Sequence, residues 1–129
     1  MSEPPLFLSL DQVFAIHHRS LAEFGGSDGV RDLGLIRSAL ASAENTFWYG
    51  HGDVFDIAAA YAFHLAESQA FLDGNKRTGA GAALTFLKTN DVSCRADDAI
   101  YDAIIAIAEK RMDKPGLAVV LQELVEKKI

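Results

Sequence analysis

The sequence of 129 residues has one cysteine, no positive net charge and no long hydrophobic run. The single cysteine, Cys94, excludes a disulfide within the chain and a zinc site built from several cysteines. The net charge of −6 argues against a protein that coats nucleic acid, because phosphate contacts require a basic face. Charged residues and histidines interrupt the apolar stretches well before the roughly 18 residues that a membrane span requires. We therefore predict no nucleic-acid partner and no membrane span.

The start of the chain lacks the features of an export signal. Residues 1–10 contain no basic segment, and their apolar run is too short for a signal peptide. A free thiol without an export signal predicts a cytoplasmic protein. With 50% apolar and 23% charged residues, the composition is globular, and the length suffices for one core but not two. We predict one domain over residues 1–129.

The apolar residues follow helical spacing along nearly the whole chain, which predicts an all-α fold, a compact bundle of about six helices. Ser9 and Gln12 fit a capping box that opens a first helix ending near Glu23. The aromatic and glycine-flanked segment 45–52 predicts a loop or a short hairpin. Further helices are predicted over 32–43, 54–70 and 75–89. Asp97 or Asp98 is expected to cap the fifth helix, and Pro115 fits the first turn of the sixth.

The segment 71–79 places a carboxylate, a glycine, an amide and two cations at the junction between two predicted helices. Free N–H groups at the start of the fourth helix attract anions, and the helix dipole favours negative charge there. Lys76 and Arg77 supply charges suited to phosphate, and the Asp73 carboxylate is a ligand type that Mg²⁺ prefers. These features indicate a nucleotide phosphate site. A turn followed by two solvated surface cations has the same sequence, and at this point that alternative stays open.

The stretch from Gln69 to Arg77 resembles the Fic/Doc motif, written His-x-Phe-x-(Asp/Glu)-Gly-Asn-x-Arg-x-x-Arg. Segments 24–40 and 61–66 are also similar to this family, most of all to its short death-on-curing (Doc) branch. The resemblance covers almost the whole chain and implies an all-helical Fic fold that binds ATP with Mg²⁺. Most Fic proteins transfer AMP to a protein hydroxyl. Doc toxins instead bind the nucleotide reversed and transfer its γ-phosphate to elongation factor Tu, and their antitoxin partner, Phd, covers them.

The resemblance also implies a role for each residue of the motif. Asp73 would hold the metal, and Phe71 would lie buried under the loop to fix its shape. The segment Phe47–Gly52 corresponds to the flap with which the family docks its target. The expected catalytic residues are Gln69, Asp73, Lys76 and Arg77, and the expected nucleotide-binding residues are Phe71, Gly74, Asn75, Lys76 and Arg77.

Two positions depart from the motif. Ala80 replaces the last Arg of the motif. The short Doc branch lacks this Arg as well, so its absence favours phosphoryl transfer. The pair Asp73-Gly74, in contrast, matches the full Fic motif. Gln69 replaces the His that removes the proton from the target hydroxyl, and an amide has no usable basicity near neutral pH. Losing a general base costs about 10²–10⁴ in rate. The sequence leaves three explanations: a natural variant with weak activity, a binding-only relative, or an inactivating substitution.

The leading prediction is a Doc-like toxin of a toxin–antitoxin module that transfers a phosphoryl group from ATP to a protein hydroxyl. The alternatives are AMP transfer at the same site and a non-catalytic nucleotide- or partner-binding scaffold. His64, five residues before Gln69, is expected to pack within its helix, and the neighbours His17 and His18 are expected to point in different directions. The inhibitory string Ser/Thr-x-x-x-Glu-Gly/Asn is absent, so any restraint would come from a separate antitoxin chain.

Overall fold

Six α-helices make up the fold in the computed structural model, which describes residues 3–95 and 98–126. Over these residues no β-strand is present, which confirms the predicted all-α class with about six helices. None of the six helices combines the length and apolarity needed to cross a membrane. In chain order they are α1 (Leu10–Phe24), α2 (Leu33–Trp48), α3 (Val54–Ser68), α4 (Asn75–Thr89), α5 (Ala99–Ala108) and α6 (Lys114–Glu123).

The helix ends follow the local sequence signals. The Ser9 hydroxyl accepts a hydrogen bond from the Gln12 backbone N–H, and the Gln12 side chain accepts one from the Ser9 N–H, so the predicted capping box is confirmed. Pro115 lies in the first turn of α6, where its missing N–H costs nothing. Asp98 occupies the position before α5 without a capping hydrogen bond, and Asp97 lies outside the described residues.

The connection between α2 and α3 is shorter than predicted. Helix α2 continues through Phe47 and Trp48, five residues beyond its expected end, and a turn and loop then lead to α3. The Phe47 ring packs edge-on against Phe7 at 6.1 Å and against Trp48 at 4.8 Å. This packing outweighs the β-propensity of the aromatic residues, because tertiary contacts override weak local preferences.

Helix α3 lies at the centre of the core and contacts α2, α4, α5 and α6. Its contact with α4 is close, because a Cβ atom at Gly79 would lie only 2.7 Å from the backbone oxygen of Ala62. Small residues thus fix the distance between α3 and α4, the two helices that meet at the motif.

Tyr61 of α3 is also part of this core. Its buried hydroxyl accepts a hydrogen bond from the Leu8 N–H, and burial raises the pKa of Tyr61 to about 12.

The α1–α2 link packs against the α3–α4 link. The backbone N–H of Leu72 donates to the Gly29 carbonyl at 3.0 Å, and the N–H groups of Arg31 and Asp32 both donate to the Ala70 carbonyl. Gly29 has a φ of 139°, and a Cβ atom there would lie 2.7 Å from Leu72 Cδ1. A glycine is therefore required for this approach, and the two links form one structural unit.

Candidate active site

The predicted site residues meet where α3 ends and α4 begins. Gln69 is left-handed, with a φ of 50°, so α3 ends at Ser68, two residues before its predicted end. Gly74 precedes α4 with a φ of 78°, which glycine adopts at little cost. A depression of about 280 Å³ at this junction is lined by Gln69, Leu72, Asp73, Gly74, Asn75, Lys76, Arg77 and Tyr101.

Phe71 lies beneath this depression and is 1% exposed. Its ring stacks on His17 of α1, with 3.8 Å between ring centroids and 11° between ring planes, and meets Phe14 edge-on. His17 is also 1% exposed, and its Nε2 lies 2.8 Å from the Asp73 backbone oxygen. Helix α1 therefore supports the junction from below. Sequence reasoning missed this role of His17. The signal that could have indicated its burial is its spacing of four residues from Val13, which puts both side chains on one face of α1.

The side chain of Asn75 closes the loop from within. Its Oδ1 accepts a hydrogen bond from the Phe71 N–H, and its Nδ2 donates to the Phe71 carbonyl, both at 3.0 Å. These two bonds hold the Asn75 side chain in the loop. The second Nδ2 hydrogen and the backbone N–H, which has no intrahelical partner in the first turn of α4, are the donors that Asn75 has left for a phosphate.

The Asp73 carboxylate is exposed at the rim of the depression. Its Oδ2 accepts a hydrogen bond from the Ser27 N–H at 3.0 Å, and a Cβ atom at Gly26 would lie 3.2 Å from Asp73 Cβ. A carboxylate has about four lone-pair sites, so this bond leaves room for a cation. Within the described residues Asp73 belongs to no cluster of three metal-ligating side chains. A single carboxylate is a donor of the kind that Mg²⁺ takes together with water and substrate phosphates.

The Arg77 guanidinium lies between two aromatic rings. Its central carbon is 4.0 Å from the ring centroid of Phe24 at the end of α1 and 3.7 Å from that of Tyr101 on α5. Cation–π attraction on both faces limits the orientations of this planar group. In the part of the chain that the structure describes, neither Lys76 nor Arg77 forms an ion pair. Both charges are therefore available to an anion in the depression.

A second cavity of about 440 Å³ adjoins the depression, and Arg77 and Tyr101 line both. It lies between α1, α4 and α5. Ala80, at the position of the motif's last Arg, contributes only a methyl group to its wall. The missing arginine thus leaves space beside Arg77 rather than a second guanidinium.

No histidine among the described residues lines the depression. His64 is half-buried in α3, and its Nε2 lies 3.2 Å from Lys114 Nζ. Burial, and secondarily the charge of Lys114, lowers the pKa of His64. His64 thus packs within its helix, as predicted, and Gln69 stands exposed at the depression with no described histidine beside it.

Residues 7–87 match the sequence model of the Fic/DOC family. The chain belongs to the Fic/DOC family. It is 40% identical over 101 residues to Toxin Doc of Mycolicibacterium smegmatis, an alignment that covers 74% of this chain and 77% of that protein. It is 26% identical over 118 residues to Protein kinase doc of Escherichia phage P1, covering 91% of this chain and 94% of that protein. The predicted family is confirmed, and the chain is a Doc-like member of it.

The Fic/DOC match ends within α4, so α5 lies outside it. Tyr101, which contacts Arg77 from α5, is therefore a site residue that the motif does not indicate. The spacing of Ile100, Ala103 and Ile104 predicts that α5 packs, but no sequence signal distinguishes Tyr101 as a partner of a residue on another helix.

Proposed function

We propose that this Doc-like protein transfers the γ-phosphoryl group of ATP to a hydroxyl of a protein target, which by family resemblance is elongation factor Tu. The proposal rests on one observation. The cations of Lys76 and Arg77 and the N-terminus of α4 converge with the Asp73 carboxylate on a single depression. We further propose that the protein is a toxin restrained by a separate Phd-like antitoxin, since relatives carry the names Toxin Doc and Protein kinase doc.

The depression offers three attractions to a polyphosphate. The first N–H groups of α4 have no intrahelical acceptors, and the helix dipole adds partial positive charge at this end. Lys76 contributes a compact ammonium charge, whereas Arg77 contributes a planar fork that can bind two phosphate oxygens. Phosphoryl transfer depends mainly on such positioning and charge stabilisation, so the site supplies most of what the reaction requires.

The second cavity supports phosphoryl transfer over AMP transfer. Its volume of about 440 Å³ lies within the usual range for ligand pockets, about 300–1,000 Å³. A nucleoside bound on this side of Arg77 would have its terminal phosphate at the start of α4. An arginine at position 80 would narrow this space and favour further phosphates there. The methyl group of Ala80 thus accords with the reversed nucleotide that the Doc resemblance implies.

The remaining residues fit a slow version of the reaction. Asp73 would hold Mg²⁺, which neutralises phosphate charge when bound. The hydroxyl oxygen forms a bond to the γ-phosphorus, the bond from that phosphorus to the bridging oxygen breaks, and ADP leaves. Gln69 can align the hydroxyl through a hydrogen bond but cannot remove its proton, which passes to water. A binding-only scaffold is the second candidate, because no described histidine lines the depression to take the place of the motif's base.

Labelled ATP and a change at Gln69 test the proposal. We expect Gln69→His to raise the transfer of γ-label from ATP·Mg²⁺ to purified elongation factor Tu by about 10²–10⁴, the usual contribution of a general base. Histidine and asparagine both tolerate the left-handed conformation at this position, so Gln69→Asn is the matched control without a base. Label from the α-phosphate would instead indicate AMP transfer. Bound ATP with neither label on the target, even in Gln69→His, would favour the scaffold.

A further inference from the structure

His17 is a buried polar side chain that lies far from the Fic/Doc motif in sequence. An imidazole removed from water must find hydrogen-bond partners in the protein. Its Nε2 contacts the Asp73 backbone oxygen, 56 residues further along the chain, at 2.8 Å. Because a carbonyl oxygen only accepts hydrogen bonds, Nε2 carries the proton and donates it. Stacking on Phe71 fixes the plane of the ring, so the donor is held in direction as well as in place.

This hydrogen bond fixes the orientation of one peptide plane. The bond between Asp73 and Gly74 is trans, so its C=O and N–H point in opposite directions. The Asp73 carbonyl points toward His17 on α1. The Gly74 N–H therefore points away from α1 and toward the depression that Gly74 lines. Within the described residues this N–H has no hydrogen-bond acceptor.

We propose that His17 is a positioning residue that orients the Gly74 N–H toward the terminal phosphate of the nucleotide. The inference rests on the proposed function for the identity of the anion. Without the His17 donor, the Asp73 carbonyl would lose its buried partner. The peptide could then rotate to seek water, a rotation that the left-handed Gly74, with no Cβ atom, does not resist. Such a rotation would turn the N–H away from the phosphate and place a carbonyl oxygen near it.

Two substitutions separate the donor from the ring. His17→Gln places an amide N–H at about the reach of Nε2 but removes the ring, whereas His17→Phe keeps a ring that stacks on Phe71 but removes the donor. We expect His17→Phe to weaken ATP·Mg²⁺ affinity by roughly tenfold, since one net hydrogen bond corresponds to about that factor. We expect His17→Gln to bind within about threefold of the unsubstituted protein. Isothermal titration calorimetry measures both affinities, and urea unfolding establishes that each variant is folded.

The Gly74 amide resonance gives a second measurement that does not depend on ATP. In ¹⁵N-labelled protein, we expect this resonance to shift and broaden in His17→Phe and to remain near its original position in His17→Gln. Unchanged ATP affinity and an unchanged Gly74 resonance in a folded His17→Phe variant would overturn the inference. If the unsubstituted protein binds no ATP, the proposed function fails, and the Gly74 resonance alone decides whether His17 orients this peptide.

Discussion

The α3–α4 helix pair and the junction that joins its two helices are stabilised in different ways. The pair is built from a local pattern, in which alanines and Gly79 recur at helical spacing and allow the two backbones to approach. The junction depends on groups distant in sequence, namely His17, which is 56 residues from Asp73, and Ser27, which is 46 residues from it. The helix pair thus supplies stability, whereas the α1 region gives the junction its shape. Changes in the two regions should have separable effects.

The largest expected effect lies in the helix pair. Gly79→Ala would place a methyl group 2.7 Å from the backbone oxygen of Ala62, and backbone cannot yield as a flexible side chain does. We expect the free energy of unfolding to fall by about 1–3 kcal/mol, the usual cost of overpacking a core. Urea denaturation measures this change. ATP affinity of the folded protein should stay close to that of the unsubstituted protein, because Gly79 lines neither the depression nor the second cavity.

Gly34→Ala is the matched control for Gly79→Ala. Gly34 is exposed in the first turn of α2, where a Cβ atom would meet only the Asp32 side chain. Alanine favours a helix over glycine by roughly 0.5–1 kcal/mol, so this substitution should leave stability unchanged or raise it. Equal losses of stability in the two variants would contradict the close approach of α3 and α4.

This contrast also explains what could be predicted from the sequence. The bounds of α4 and the capping box at Ser9 follow from residues only a few positions apart, and local signals determine them. The residues of the candidate site were predicted from the resemblance to the Fic/Doc motif. The contacts of His17 with Phe71 and of Tyr101 with Arg77 join segments far apart in the sequence, and no pattern along the chain encodes such pairings. The same limitation shortened the predicted α2, whose last turn depends on packing against Phe7.

A smaller effect is expected at Arg77, where the junction meets α5. Tyr101→Leu removes one of the two rings that orient the guanidinium, and a cation–π contact at a partly exposed site contributes about 0.5–1 kcal/mol. We expect ATP affinity to fall by about two- to fivefold, with unfolding free energy changed little because Tyr101 is only partly buried. Tyr101→Phe retains the ring and should retain the affinity.

A double-mutant cycle tests whether Tyr101 acts through Arg77. In an Arg77→Ala background, Tyr101→Leu should cause no further loss of ATP affinity, since the group that the ring orients is gone. Additive losses would mean that Tyr101 contacts the nucleotide independently of Arg77. A loss in Tyr101→Phe equal to that in Tyr101→Leu would assign the effect to the hydroxyl rather than to the ring.

The smallest effect concerns His64, which belongs to the helix pair although it lies close to Gln69 in sequence. Burial, and then the charge of Lys114, lowers its pKa below the ordinary value of 6.5. The unfolded chain therefore binds a proton at this histidine more readily than the folded protein does. His64 thus lowers stability as pH falls from about 6.5 through its lowered pKa, and it has no such effect at higher pH.

Two variants isolate this contribution. His64→Gln should flatten the fall in unfolding free energy below pH 6.5 and leave ATP affinity at pH 7.5 unchanged, because His64 does not line the depression. Lys114→Gln should raise the pKa of His64, measured by NMR titration, only part of the way to 6.5, because burial is the larger cause. Full recovery in Lys114→Gln would make the Lys114 charge the dominant cause. A loss of ATP affinity in His64→Gln would place His64 in the site and remove the separation between the helix pair and the junction.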